Sequence, residues 1–174
     1  MSTSIEELEV KPESNGVELP LNIPAITPSL RMRVHDTGDA YISRDIRDKG
    51  VWEPAETQFF LDSLQPGLVF VDVGANIGYF SLLASRILGE SGQVFAFEPD
   101  PVNFELLQTN CAINRCSNVT CCQLALSNEN TAGELYLSEF NKGDHTIYKS
   151  SEQRESVGIE LVRGSDFFSN KLEV

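Results

Sequence analysis

The sequence predicts an α/β domain built on a parallel sheet, and three observations carry that prediction. Residues 68–73 read as a buried strand that breaks on the glycine loop Gly74-Ala75-Asn76-Ile77-Gly78 and restarts as a helix. A second apolar run, Gln93–Phe97, ends on Glu98. A third, residues 118–126, follows a further helical stretch. Strands joined by helices make repeated βαβ units, hence parallel strands with right-handed crossovers.

Each element has a local reason. Residues 1–16 are dominated by Glu, Lys, Pro, Ser, Asn and Gly and read as a disordered tail. Residues 17–50 read as an extension with short strands. Pro20, Pro24 and Pro28 exclude a long helix at its start. Residues 30–34 alternate apolar and basic side chains and suit a strand. A turn at Asp36-Thr37-Gly38-Asp39 then leads to residues 40–43, the expected hairpin partner. Residues 51–174 read as a partial α/β domain. Pro54 suits the first position of a helix with Phe59, Phe60 and Leu64 on its apolar face, and Pro66-Gly67 stops it. The helix after the glycine loop carries Phe80, Leu82, Leu83, Ile87 and Leu88, so it should pack on a sheet, and Gly89 and Gly92 end it. Asp100 is a suitable N-cap and Pro101 a suitable first residue for the next helix, which runs to about Asn114. Residues 133–137 and 159–162 read as weaker strands with a polar loop, 139–156, between them, and Asp166 as the cap of a short helix through Phe167 and Phe168.

Composition narrows the partners. The 174 residues carry a net charge of −13, which argues against nucleic acid and against an anionic membrane surface. The N-terminus is polar and acidic rather than signal-like, and no apolar run is long enough to span a bilayer, so a cytoplasmic protein is expected. The four cysteines do not fall in metal-binding spacings and the chain has two histidines, so no metal is expected. Adjacent Cys121 and Cys122 should point to opposite faces of a strand and act as small buried hydrophobes. His145 reads as a solvated loop residue rather than a general base, and Tyr79, Phe80 and Trp52 as packing.

In an open parallel sheet, ligands bind beyond the carboxyl ends of the strands. Asp72 to Gly78, Glu98 with Pro99, and Ala125 all lie at that edge. Gly74 and Gly78 permit backbone shapes and close approaches that a Cβ would block. The helix start near Ile77 should aim free N–H groups at the loop. Glu98 is placed to accept hydrogen bonds from a ribose diol. Asp72 decides between cofactors. A pyrophosphate on this turn would face a carboxylate, and like charges about 4 Å apart cost on the order of 4 kcal/mol at an effective dielectric near 20. An ammonium or sulfonium would be attracted instead. These charges match S-adenosylmethionine and mismatch NAD.

Phe70-Val-Asp-Val-Gly-Ala-Asn-Ile-Gly-Tyr-Phe80, then Phe97-Glu-Pro-Asp-Pro101, Leu107 with Asn110 and Asn114, and Ala125-Leu-Ser127 resemble the FkbM-type methyltransferases. Gly50-Val-Trp-Glu-Pro54 and Glu56 add to the likeness, which runs from about Ala40 to Phe168. The resemblance implies a Rossmann-like class I methyltransferase fold that uses S-adenosyl-L-methionine to methylate a small-molecule or sugar hydroxyl. It places Asp72, Gly74, Ala75, Asn76 and Gly78 around the methionine portion and Glu98 with Pro99 at the ribose. The neighbourhood of Ala125 falls at the adenine, and Glu53 or Glu56 approaches the cofactor from the helix before the first strand. It assigns no catalytic base. It also implies a fourth core strand beside residues 68–73 and further strands at the C-terminus, which this sequence lacks. A truncated chain with an open apolar edge is therefore expected. Such a chain is either paired with a second chain that supplies those strands or reduced to a non-catalytic binding module.

Overall fold

The computed structural model describes residues 16–149 and 154–169. The tail expected over residues 1–16 lies outside them except for Gly16, which opens a strand. That strand, β1 (Gly16–Pro20), pairs antiparallel with β2 (Arg31–His35). The hairpin partner expected at residues 40–43 is instead the start of a helix, α1 (Ile42–Lys49). The Asp39 carboxylate explains the difference. It accepts from the Ser43 amide at 2.8 Å and the Ser43 hydroxyl at 2.7 Å, which fixes a helical first turn. Ile42 and Ile46, four residues apart, then bury one face.

Next come α2 (Pro54–Ser63) and β3 (Val69–Val73), then α3 (Tyr79–Leu88), β4 (Gln93–Phe97), α4 (Pro101–Ile113) and β5 (Val119–Cys122). Strands β3, β4 and β5 form a parallel sheet in that order, with Asp72 opposite Ala96 and Val73 opposite Phe97. Asp100 caps α4 as expected, accepting from the amides of Val102 and Asn103.

The third strand does not run through to residue 126. β5 ends at Cys122, whose carbonyl takes the Glu98 amide at 3.0 Å. The next amide on that side, Asp100, turns instead to the Glu98 carboxylate at 2.9 Å. The chain re-forms as β6 (Ala125–Ser127) in a second sheet, ordered β6-β8-β7, with β7 (Thr131–Tyr136) antiparallel to β8 (Ser156–Arg163). A short helix, α5 (Gly164–Phe168), follows. Asp166 lies inside α5 rather than capping it, and takes the Asn130 side-chain amide at 2.7 Å.

Alternation along β4 sets the core. Val94 and Ala96 face α3 and α4 with Leu82, Leu83, Leu88 and Leu107. Phe95 and Phe97 face the opposite way, against Phe167 and Phe168 of α5. Cys121 and Cys122 divide between the two faces as the strand period requires. Among the described residues β3 pairs with β4 alone, and Leu68, Val69 and Val73 are exposed beside its other edge. No helix among those residues is long and apolar enough to cross a membrane.

Candidate active site

The loop from β3 to α3 turns on alternating left-handed residues: Gly74 at φ +76°, Asn76 at +51° and Gly78 at +92°. The amides of Gly74 and Ala75 both donate to the Phe97 carbonyl at 2.9 Å, which clamps the loop to the end of β4. A Cβ on Gly74 would meet only open space, so this glycine is required by its backbone angle. A Cβ on Gly78 would come within 2.6 Å of Leu107 Cδ1, so this one also lets α3 approach α4. Asn110 secures the same junction. Its side chain donates to the Ile77 carbonyl at 2.8 Å and the Arg33 carbonyl at 3.0 Å, and accepts the Arg33 amide.

Asp72 accepts from the Ser81 hydroxyl at 2.6 Å and from the Ser81 amide. The N-terminal turn of α3 therefore already holds a carboxylate. The free N–H groups expected there for an incoming anion are partly taken by the chain's own acid. Burial pushes the Asp72 carboxyl up from its ordinary value, while the Ser81 bonds oppose the shift. Glu98 is 5% exposed and pinned, with one oxygen accepting from the Asn76 amide at 2.7 Å and the other from the Asp100 amide at 2.9 Å. Burial pushes its pKa up to about 7 despite those bonds. The Asn103 side chain adds a further hydrogen bond to the same carboxyl.

These groups border a cavity of about 540 Å³, within the span of small-molecule sites. Asp72, Gly74, Ala75, Asn76, Glu98 and Pro99 all line it. Two anticipated site residues do not. Gly78 acts behind it as the start of α3, and Ala125 is buried in the second sheet, against Leu135 and Leu161. Of the two candidate upstream acids, Glu53 lines the cavity and Glu56 does not. Glu53 sits in a left-handed conformation, φ 41°, at the start of α2, and burial raises its pKa, helped by Glu56.

The polar loop of residues 138–146 forms another wall of the cavity. The Lys142 carbonyl receives the side-chain amides of Asn76 at 2.8 Å and Asn103 at 3.1 Å, tying this loop to the glycine loop and to α4. His145 is not solvated as the sequence suggests: its side chain is 7% exposed and it lines the cavity. Its Nδ1 accepts the Ser138 amide at 2.9 Å, so in the neutral ring Nε2 carries the proton. His145 thus presents a donor rather than a base, and burial lowers its pKa. Trp52 and Tyr79 also line the cavity as well as pack. Tyr79 Oη meets Thr57 Oγ1 at 3.0 Å, which joins α3 to α2. Lys142 carries no sequence signal for this role, because the fold brings it from a loop far along the chain.

The donor set fits S-adenosylmethionine better than a dinucleotide. Three carboxyl groups, Glu53, Asp72 and Glu98, line the cavity beside one lysine, Lys142. A family model described as the methyltransferase FkbM domain matches residues 72–173, beginning at the loop acid itself. The chain belongs to the FkbM methyltransferase domain family. Its parallel sheet, glycine loop and flanking helices form the Rossmann-like class I methyltransferase arrangement that the sequence predicts. The methyltransferase sdnD of Sordaria araneosa is 44% identical over 96 residues, covering 53% of this chain and 35% of that protein. The FkbM chain thus spans about a third of that relative's length. Two solved structures are also similar. The precorrin-6y C5,15-methyltransferase of Geobacter metallireducens is 32% identical at a TM-score of 0.36, covering 40% of this chain and 36% of its own. The TYW2 protein of P. horikoshii, solved in complex with MeSAdo, is 20% identical at a TM-score of 0.43, covering 63% and 37%.

Proposed function

We propose that this FkbM domain binds S-adenosylmethionine and serves as the cofactor half of a methyltransferase acting on a hydroxyl of a small molecule or sugar. The observation that carries the reading is Asp72, bonded to Ser81 in the first turn of α3. A pyrophosphate bound at this helix end would meet a buried carboxylate, whereas an ammonium or sulfonium stabilises its charged form. When bound, the cofactor supplies an electrophilic methyl group. The chain's own residues orient it: Glu98 accepts from the ribose hydroxyls, and Asn76 and Asn103 hold the 138–146 loop against the site. Holding the two reactants in line accounts for much of the rate in such transfers. Glu53, exposed at the cavity wall, is the carboxylate placed to take the proton of an acceptor hydroxyl. The four free thiols suit a reducing compartment, the cytoplasm.

Calorimetry with S-adenosylmethionine and with NAD tests the reading. The expected result is heat from the first alone, with Asp72→Ala and Glu98→Ala each weakening binding about tenfold or more. Binding of NAD, or normal affinity in both variants, would overturn it. The open edge of β3 favours a second reading. There the chain alone is a binding module, and a further strand on that edge, from a longer form or a second chain, completes the acceptor side. Methyl transfer assayed with and without the C-terminal remainder of a relative separates the two.

A further inference from the structure

Three of the four cysteines gather at one place away from the cavity. Cys111 is on the last turn of α4, Cys116 follows in the connecting turn, and Cys121 is on β5. The Cys111 and Cys121 sulfurs are 3.8 Å apart. The Cys116 amide donates to the Cys111 carbonyl at 2.9 Å, folding the turn back so that the Cys116 and Cys111 thiols also hydrogen-bond. Cys111 is buried, while Cys116 and Cys121 are half-buried, so the cluster has an open side. Cys116 lies beside Ser85 and Arg86 at the end of α3. Cys122 points to the other face of the sheet, among Phe95 and Phe97.

We propose that Cys111, Cys116 and Cys121 form a thiol relay oxidised by a peroxide, in which Cys116 meets the oxidant and the disulfide comes to rest between Cys111 and Cys121. This inference does not depend on the methyltransferase reading. The Cys116 thiolate attacks one peroxide oxygen, the O–O bond breaks, and water or an alcohol leaves with a proton. Cys116 is then a sulfenic acid. The Cys111 sulfur attacks the Cys116 sulfur and expels its hydroxyl as water, carrying off the thiol proton. The Cys121 thiolate next attacks Cys111, forming the Cys111–Cys121 bond and returning Cys116 as a thiolate. Two thiols are oxidised and one peroxide is reduced.

The electrostatics suit these roles. Hydrogen bonding from Cys111, with Ser85 and the Arg86 charge, brings the Cys116 thiol down to about 7, while its bonds to both neighbours push Cys111 up. The thiol brought down to about 7 is thus half-buried rather than enclosed, and its resolving partner keeps a proton. The product bond ties α4 to β5 one residue from Asn110, which holds the Ile77 carbonyl of the cofactor loop.

Hydrogen peroxide applied to the full chain, followed by non-reducing peptide mapping, tests this. The expected product is an intramolecular Cys111–Cys121 link, reversed by dithiothreitol. C116S should slow its formation at least about tenfold, and C121S should stop the bond at Cys111–Cys116. C111S should give no internal link and let a dimedone-reactive Cys116 accumulate, whereas C122S should behave as the parent. The rate should fall about tenfold from about pH 8 to about pH 6 as the Cys116 thiolate is lost. A link to Cys122, an unchanged rate in C116S, or oxidation without any internal link would overturn the proposal. Circular dichroism of each variant checks that it is folded before oxidation.

Discussion

The two faces of β4 are built differently although they share one five-residue strand. On one, the small side chains Val94 and Ala96 let α3 and α4 pack closely, and Leu82, Leu83 and Leu107 are fully enclosed there. On the other, Phe95 and Phe97 are covered by a single short helix through four aromatic rings. Phe97 stands 4.9 Å from Phe167, and Phe95 stands 5.2 Å from Phe168, both edge to face. The helix-covered face carries the glycine loop and the acids, so the site rests on the more deeply buried half. A loop that borders a binding cavity needs a rigid support, and close packing supplies it.

The sharpest way to break this contrast is to hollow each face in turn. Leu107→Ala removes the side chain under Gly78 and should cost about 3–5 kcal/mol in a denaturant titration. Phe168→Ala, at a half-buried ring, should cost nearer 1–2 kcal/mol and leave glycine-loop geometry intact. Equal losses would show that both faces support the fold alike.

Glu98 gives an intermediate effect of opposite sign. Its folded pKa of about 7 lies above the ordinary 4.5, so its contribution to stability is full below about pH 4.5 and is lost as pH rises through 7. Asp72, raised by the same burial, acts in the same direction. Glu98→Gln removes this penalty. The variant without ligand should match the parent near pH 4.5 and exceed it by about 3 kcal/mol at pH 8, while binding S-adenosylmethionine less tightly. A parent whose stability does not fall relative to this variant between those pH values would show Glu98 to be ordinary. The smallest effect is expected at Asp166→Ala. Its carboxylate is about half exposed and its partners lie at the surface, so the change should stay within about 0.5 kcal/mol.

Much of the helix-covered face was legible in the chain. The αL glycines, the cap at Asp100 and the proline after it act through near neighbours, and a sequence displays near neighbours. One of the differences is local, and the others come from segments distant in the chain. Residues 40–43 look extended until the Asp39 carboxylate is seen to hold Ser43 in a helical turn. Residues 118–126 look continuous until the Asp100 amide turns to Glu98 and β8 takes the rest. His145 looks solvated because nothing nearby in the chain shows that its loop folds onto Asn76 and Asn103.

The sequence by itself determined the βαβ core, the glycine loop and the family, because these depend on side-chain periodicity and on backbone angles that only certain residues adopt. Only the tertiary structure decided which acids share a cavity, how far burial shifts them, and that three thiols meet. Those properties depend on distance and on exclusion of water: the acids come from segments tens of residues apart, and the thiols meet because the turn after α4 folds β5 back beside it.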